Sequence, residues 1–104
     1  MKDPIQPSRC ARQLSALAAP ERIKIIRFLG DGPHNVTEIA DMLKTAPVNV
    51  AHHMGVLRHA GIVRGKKDGR FVYYSLAPGF LQTQEGKEFL DLGCCRLEVP
   101  PGEN

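Results

Sequence analysis

No stretch of this 104-residue chain approaches the ~20 apolar residues that a membrane-spanning helix requires, and the opening MKDPIQPSRC lacks the apolar core of a signal peptide. A cytoplasmic protein with no membrane partner is therefore expected. Cysteine is scarce and odd in number, with only Cys10, Cys94 and Cys95. In a small chain without an export signal, that argues against a structural disulfide framework and for reduced thiols. No serine, cysteine or carboxylate arrangement has the spacing of a catalytic centre, so no enzyme is expected. Internal repeats and low-complexity tracts are absent. At this length and 42% hydrophobic content the chain holds one core. Residues 1–8 and 100–104 have the composition of frayed termini, leaving a body over 9–76 and a tail over 77–99.

Residues 35–76 read NVTEIADMLKTAPVNVAHHMGVLRHAGIVRGKKDGRFVYYSL. Asn35 followed three residues later by Glu38 is a capping-box signal, and Val36, Ile39, Ala40 and Leu43 then recur at helical spacing. After a short turn, Thr45 is the candidate cap of a second helix whose first turn tolerates Pro47. Val50, Met54 and Leu57 form its buried stripe and Gly61 its stop. Val48, Asn49, Ala51, His52, His53, Gly55 and His59 are left largely outward. Two β-type runs flank Asp68-Gly69, a strong hairpin signal. Helix, turn, helix and basic hairpin in succession is the layout of a winged helix-turn-helix, and the fold class is helix-rich α+β with a two-stranded wing.

Charge follows the same division. Residues 42–76 carry +5, residues 1–41 carry +1 and residues 77–104 carry −3, so the positive charge is concentrated in the helix-turn-helix and hairpin stretch. A concentrated basic segment is what phosphate contact needs, because counterion release scales with the charges placed at the backbone. Upstream, residues 9–18 carry Cys10, Leu14, Leu17 and Ala18 at helical spacing. Pro20 then opens a helix with Ile23, Ile26 and Phe28 that Gly30 stops. Leu14, Leu17, Ile25, Ile26 and Leu29 join the reader's own stripes in the core.

The segment over residues 16–76 resembles the ArsR-type winged helix-turn-helix repressors. The resemblance is carried by LAAPERIKIIRFL, VTEIADML, VNVAHHMGVLRHAGIV and GRFVYYSL. It implies a homodimeric repressor of double-stranded operator DNA, released when a metal, a metalloid, an oxidant or another signal arrives. Asn49 and His52 would then face base edges, with Ala51 or Val48 available to a thymine methyl and Gly55 permitting close approach. His53 is a second candidate, although neighbouring helical residues diverge by about 100°, so only one of the two histidines reads bases. Lys44, Thr45, Arg58, Arg64, Lys66, Lys67 and Arg70 would meet phosphates or the minor groove.

Two departures from that family bear on sensing. The thiophilic-metal members carry a Cys-x-Cys pair near the start of the third helix, where this chain has Asn35-Val36-Thr37. The zinc members use acidic and histidine ligands on a C-terminal helix, and residues 77–104 contain no histidine. The tail itself, interrupted by Pro78, Gly79, Gly86 and Gly93, reads as one or two helical turns in its middle. Extended structure follows from Lys87 onward, bent at Gly93-Cys94. The histidines His52, His53 and His59 lack the three- or four-residue spacing of helical metal ligands, and Tyr73-Tyr74 reads as strand packing, one ring in and one out. Cys94 and Cys95, together with Cys10 of the first helix, which a partner chain could contribute, are the soft-ligand set that remains. Three readings of them stay open: small apolar residues in a core or interface, a thiophilic metal or metalloid site, and reversible oxidation. Two other functional readings also stand, a winged-helix protein-interaction module and a thiol-based metal-handling or redox protein on this scaffold.

Overall fold

The structure, a computed structural model, describes residues 7–100; the remaining positions of the two expected frayed ends lie outside the described residues. The chain runs α1 (Pro7–Ala16), α2 (Pro20–Leu29), β1 (His34–Asn35), α3 (Val36–Leu43), α4 (Pro47–His59), β2 (Val63–Asp68), β3 (Phe71–Leu76), β4 (Leu81–Gln84), β5 (Lys87–Asp91) and β6 (Arg96–Val99).

Local chemistry sets the boundaries of the helix-turn-helix. At the start of α3, Asn35 Oδ1 accepts from the Glu38 backbone N–H at 2.9 Å, and Glu38 Oε1 accepts from the Asn35 N–H at 3.0 Å. That is the reciprocal capping box the spacing predicts. The helix ends as Lys44 turns to φ 56° and the Thr45 N–H reaches back to the Ala40 carbonyl. The second helix of the pair, α4, has Ala46 rather than Thr45 at its N-cap and no side-chain cap bond. Thr45 stands one position before the cap, where its Oγ1 accepts from Asn49 Nδ2 at 2.8 Å, while Pro47 takes the first helical position as expected. The helix closes with a Schellman motif in which Gly61 N–H bonds Arg58 O and Ile62 N–H bonds Leu57 O. Gly61 supplies the φ of +79° that the motif requires.

The first helix departs from expectation. It includes Pro7 and Ser8, assigned above to a frayed end, and stops at Ala16 rather than at residue 18. Pro20 holds Ala19 in the extended region (φ −151°, ψ 131°), which ends helical geometry early. Leu14 is 42% exposed, whereas Gln13 and Ala16 are buried. The buried face is rotated because Gln13 Nε2 donates to the Ala60 carbonyl at the end of α4 (3.4 Å). Ile23 likewise stands 40% exposed while Ile25, Ile26 and Leu29 fill the core.

The wing is a three-stranded antiparallel sheet, β1-β3-β2, rather than a two-stranded ribbon, since His34 and Asn35 pair with Tyr74 and Tyr73. Val63↔Leu76 anchors its base and Asp68↔Phe71 is its last pair. The two-residue turn is thus Gly69-Arg70, one residue beyond the expected Asp68-Gly69. Only its first residue takes positive φ (Gly69, +64°), as in a II′ hairpin. Tyr74 packs on the core and Tyr73 edges Phe71, one ring in and one out.

The tail forms a second antiparallel sheet, β4-β5-β6, with Leu81↔Leu90 and Leu90↔Leu97 in register. The strands over 87–91 and 96–99 match the alternation read from sequence, but residues 81–84 are strand and not helical turns. Phe80, Leu90 and Leu92 bury against the same core as Ile26, Ile39 and Leu57. The sheet lies so close to the end of α2 that a Cβ on Gly30 would stand 2.8 Å from Leu81 Cδ2. Gly30 has ordinary helical φ (−61°), so close approach rather than conformational freedom accounts for the glycine there.

Candidate nucleic-acid interface

Helix α4 separates its residues into two faces. Val50, Met54 and Leu57 are fully buried against α2 and α3, while Val48, Asn49, Ala51, His52, Arg58 and His59 are exposed. Val48 is 73% exposed, which leaves its methyls free for a contact outside the chain. Asn49 spends one N–H on Thr45, and its carbonyl oxygen and second N–H stay open. Around Gly55, an added Cβ would meet nothing within 4 Å, so its smallness answers no packing demand inside the chain.

His53 and Gly55 are the exceptions among the residues expected to face outward, and of the two only His53 has a side chain to commit. It is half-buried, and its Nδ1 lies 3.1 Å from Arg22 Nη1. Arginine only donates, so Nδ1 is the acceptor and a neutral ring carries its proton on Nε2. Burial, then the Arg22 guanidinium, hold the His53 pKa below the ordinary histidine value. Arg22 also donates through Nε to the Ala16 carbonyl at 2.6 Å, so one guanidinium joins the end of α1 to the middle of α4. Nothing in the hydrophobic pattern of residues 20–29 singles out Arg22; its role depends on how three helices cross.

The basic side chains are disposed around this face. Lys44 projects from the turn before α4 in the left-handed conformation and is exposed. From Arg64 to Arg70 every residue of the wing is exposed, including Arg64, Lys66, Lys67 and Arg70. The Arg70 guanidinium sits 5.4 Å from the Phe71 ring centre, an arrangement that steadies the hairpin tip by cation–π attraction. Thr45, Asn49, His52, His53, Leu43 and Lys44 line one recess with Glu21 at its edge. Of the residues expected at DNA, all but the half-buried Thr45, His53 and Gly55 are exposed. None of the described helices is long and apolar enough to cross a membrane.

The cysteines overturn one expectation and sharpen another. Cys10 of α1 and Cys94 of the tail form a disulfide across 84 positions, so two of the three thiols are not reduced. Odd number and compartment decide only whether a disulfide framework is expected; the tail sheet folding back onto the helices is what brings residue 94 to residue 10. Both come from one chain, so Cys10 need not be contributed by a partner. Cys95 is free and half-buried, with its Sγ 3.9 Å from Cys94 Sγ. The three sulfurs all lie within 4.8 Å of one another. The loop presenting them is built, because Asp91 Oδ1 accepts from Gly93 N–H (2.8 Å), Asp91 Oδ2 accepts from Gln82 Nε2 (3.1 Å) and Leu92 N–H bonds Cys95 O (2.9 Å).

Comparison with known proteins places this geometry. Residues 19–64 match the family described as bacterial regulatory protein, arsR family. The HTH-type transcriptional regulator NmtR of Mycobacterium tuberculosis is 39% identical over 69 residues, covering 66% of this chain and 58% of that protein. The cadmium resistance transcriptional regulatory protein CadC homolog of Staphylococcus aureus is 31% identical over 85 residues, covering 81% of this chain and 70% of its own length. The solution structure of a homodimeric winged helix-turn-helix DNA-binding domain from Mycobacterium bovis superposes with a TM-score of 0.65 at 27% identity, over 67% of this chain and 65% of that one. The expected resemblance and the winged helix-turn-helix fold are thus met, and the family is one of regulators rather than enzymes. By fold, by sequence identity and by the arrangement of its helix-turn-helix and wing, the chain belongs to the arsR family of bacterial regulatory proteins.

Proposed function

We propose that this protein is a sequence-specific transcriptional repressor that binds double-stranded operator DNA as a homodimer and is released by a signal read at its cysteines. The observation that carries the DNA reading is the exposed first half of α4, with Val48, Asn49, Ala51 and His52 outward, beside a wing whose Arg64, Lys66, Lys67 and Arg70 are all exposed. Recognition helices read base edges from their N-terminal residues. Asn49 and His52 take that role, Val48 and Ala51 lie against thymine methyls, and Gly55 admits the backbone. Lys44, Thr45, Arg58 and the wing cations hold phosphates and set the register. His53 is removed from base reading by its bond to Arg22 and acts as a strut beneath His52. A homodimer is favoured because one recognition helix spans too few base pairs for strong specificity, and the similar Mycobacterium bovis domain is homodimeric.

For the signal, a thiophilic metal or metalloid is supported by the convergence of Cys10, Cys94 and Cys95 and by the cadmium-resistance role in the name of the Staphylococcus aureus relative. The test is binding of the full chain to a labelled fragment of the DNA upstream of its own coding region, against scrambled DNA of equal length. The expected result is saturable, salt-sensitive binding with a preference that Asn49→Ala lowers by about 1–3 kcal/mol. Equal affinity for scrambled DNA would instead favour a protein-interaction module, and sedimentation of the free protein as a monomer at all concentrations would remove the dimer.

A further inference from the structure

We propose that strand β6 is the surface through which two copies of this chain meet. Its free edge pairs antiparallel with the same edge of a second copy, so that the two three-stranded tail sheets join into one continuous sheet. The proposal rests on the homodimeric reading above and gives that dimer its contact residues.

The first support is the open edge itself. The order β4-β5-β6 leaves β6 paired on one side only. Leu92 N–H bonds the Cys95 carbonyl at the base of the β5-β6 hairpin. By the alternation of an antiparallel ladder, Leu97 then turns its N–H and C=O toward its partner Leu90, and those of Arg96 and Glu98 point away from β5. Among the described residues no backbone group from elsewhere in the chain bonds them. An edge with open main-chain donors and acceptors is a template for another strand unless the fold blunts it, and Arg96–Val99 holds no proline, lysine or break in register.

The second is that the strand is complementary to itself. In the antiparallel register centred on Leu97, Arg96 stands opposite the partner's Glu98, Leu97 opposite the partner's Leu97 and Glu98 opposite the partner's Arg96, as a two-fold axis requires. A slip of one residue sets Leu97 against glutamate and turns the second sheet's apolar face to the other side, so the register is specified. All three side chains are exposed, Leu97 at 38% although Leu90 beside it is 4% exposed. Glu98 has no ion-pair partner among the described residues. Arg96 spends one N–H on Gln84 and one face on Phe89, leaving further donors of its five. The opposite edge differs: β4 reads LQTQ, without a charge, and its Leu81 abuts Gly30 at the end of α2.

A four-residue edge alone falls short of the ~1,000 Å² that stable association buries, and α1 supplies more. Cys10 and Leu14 lie one turn apart on one face of that helix, and the bond from Cys10 to Cys94 ties this face to the residues just before β6. Leu14, 42% exposed, therefore stands on the face of α1 turned to the tail.

The experiment is sedimentation velocity of the full, oxidised chain over a range of concentrations, with circular dichroism to check the fold of each variant. The native chain is expected to dimerise reversibly. Arg96→Glu sets like charges opposite each other at two places about the axis and should weaken association by about tenfold or more. Adding Glu98→Arg exchanges the charges and should restore it, a recovery that loss of folding does not imitate. In a Cys95→Ser background, Leu97→Cys should cross-link two copies on mild oxidation, because opposed residues of a non-hydrogen-bonded pair have Cα atoms about 4.5 Å apart, within disulfide range. Thr83→Cys on β4 should not. A double variant no better than Arg96→Glu, or Thr83→Cys cross-linking as fast as Leu97→Cys, overturns the interface. A dimer undiminished in Arg96→Glu overturns the interface and keeps the homodimer, whereas a native chain that stays monomeric overturns both.

Discussion

His52 and His53 are adjacent, chemically identical and equally polar in the sequence, yet the structure gives them different work. His52 is exposed, whereas His53 is half-buried and accepts from Arg22. Helical geometry predicts that they diverge by about 100° but not which of them turns inward; that is decided by where α2 places its guanidinium. The consequence is a pH dependence. The folded His53 pKa is lowered, by burial first and by Arg22 second, so the fold binds fewer protons than the unfolded chain as pH falls past the ordinary histidine range. The stabilisation is fully present above the unfolded pKa of about 6.5 and lost as pH falls through the lower folded value. Melting temperature should drop between pH 7.5 and 5.5, and His53→Gln, which keeps an acceptor for Arg22 but cannot charge, should flatten that drop. A variant with the same pH profile as the native chain would remove this role. Glu38 shows the opposite charge type: its bond to the Asn35 backbone, the largest cause, lowers its pKa below 4.5, so the contribution of that cap is present above this value and lost under stronger acid.

Elements differed in how far the sequence disclosed them. Helix α3 was legible from its capping box and apolar spacing, because both signals are local and both are realised by residues within three or four positions. The wing strands β2 and β3 were legible from their alternation and the glycine turn. Strand β1 was not, since two residues carry no periodicity and their strand character comes from pairing with Tyr73 and Tyr74. Strand β4 was missed for a related reason: LQTQ is neither a strong β nor a strong helical run, and its partner β5 supplies the order. Helix α1 was found but turned wrongly, because a buried Gln13 bonded to Ala60 outweighs the apolar count on the Leu14 side. At this scale the wing makes a sharp prediction. Lys66 and Lys67 are exposed on β2, so Lys66→Ala with Lys67→Ala should reduce the salt dependence of operator binding by about one phosphate contact per lysine in each protomer. The loss should be uniform across DNA sequences, and a change in sequence preference without a change in salt slope would reassign these lysines from phosphate to bases.

For the whole molecule, the decisive long-range feature is the bond from Cys10 to Cys94, which closes nearly the entire chain into one loop. In the chain-entropy description a loop of that size is worth about 4–5 kcal/mol, by restricting the unfolded ensemble. Reduction should therefore lower the melting temperature by well over ~10 °C, and Cys95→Ser, which leaves the bond in place, should melt with the oxidised native chain. Coincident melts of oxidised and reduced protein would show that the tail sheet is held by its apolar contacts alone. What the sequence by itself determined was the family, the order of helix, turn, helix and wing, and the basic character of the recognition segment, because these rest on spacing, capping and charge within a few tens of residues. Only the tertiary structure decided that the tail is a sheet on α2, that Arg22 ties α1 to His53, and that three cysteines at opposite ends of the chain meet at one point. Those outcomes depend on packing between segments far apart along the chain, for which a single sequence holds no local signal.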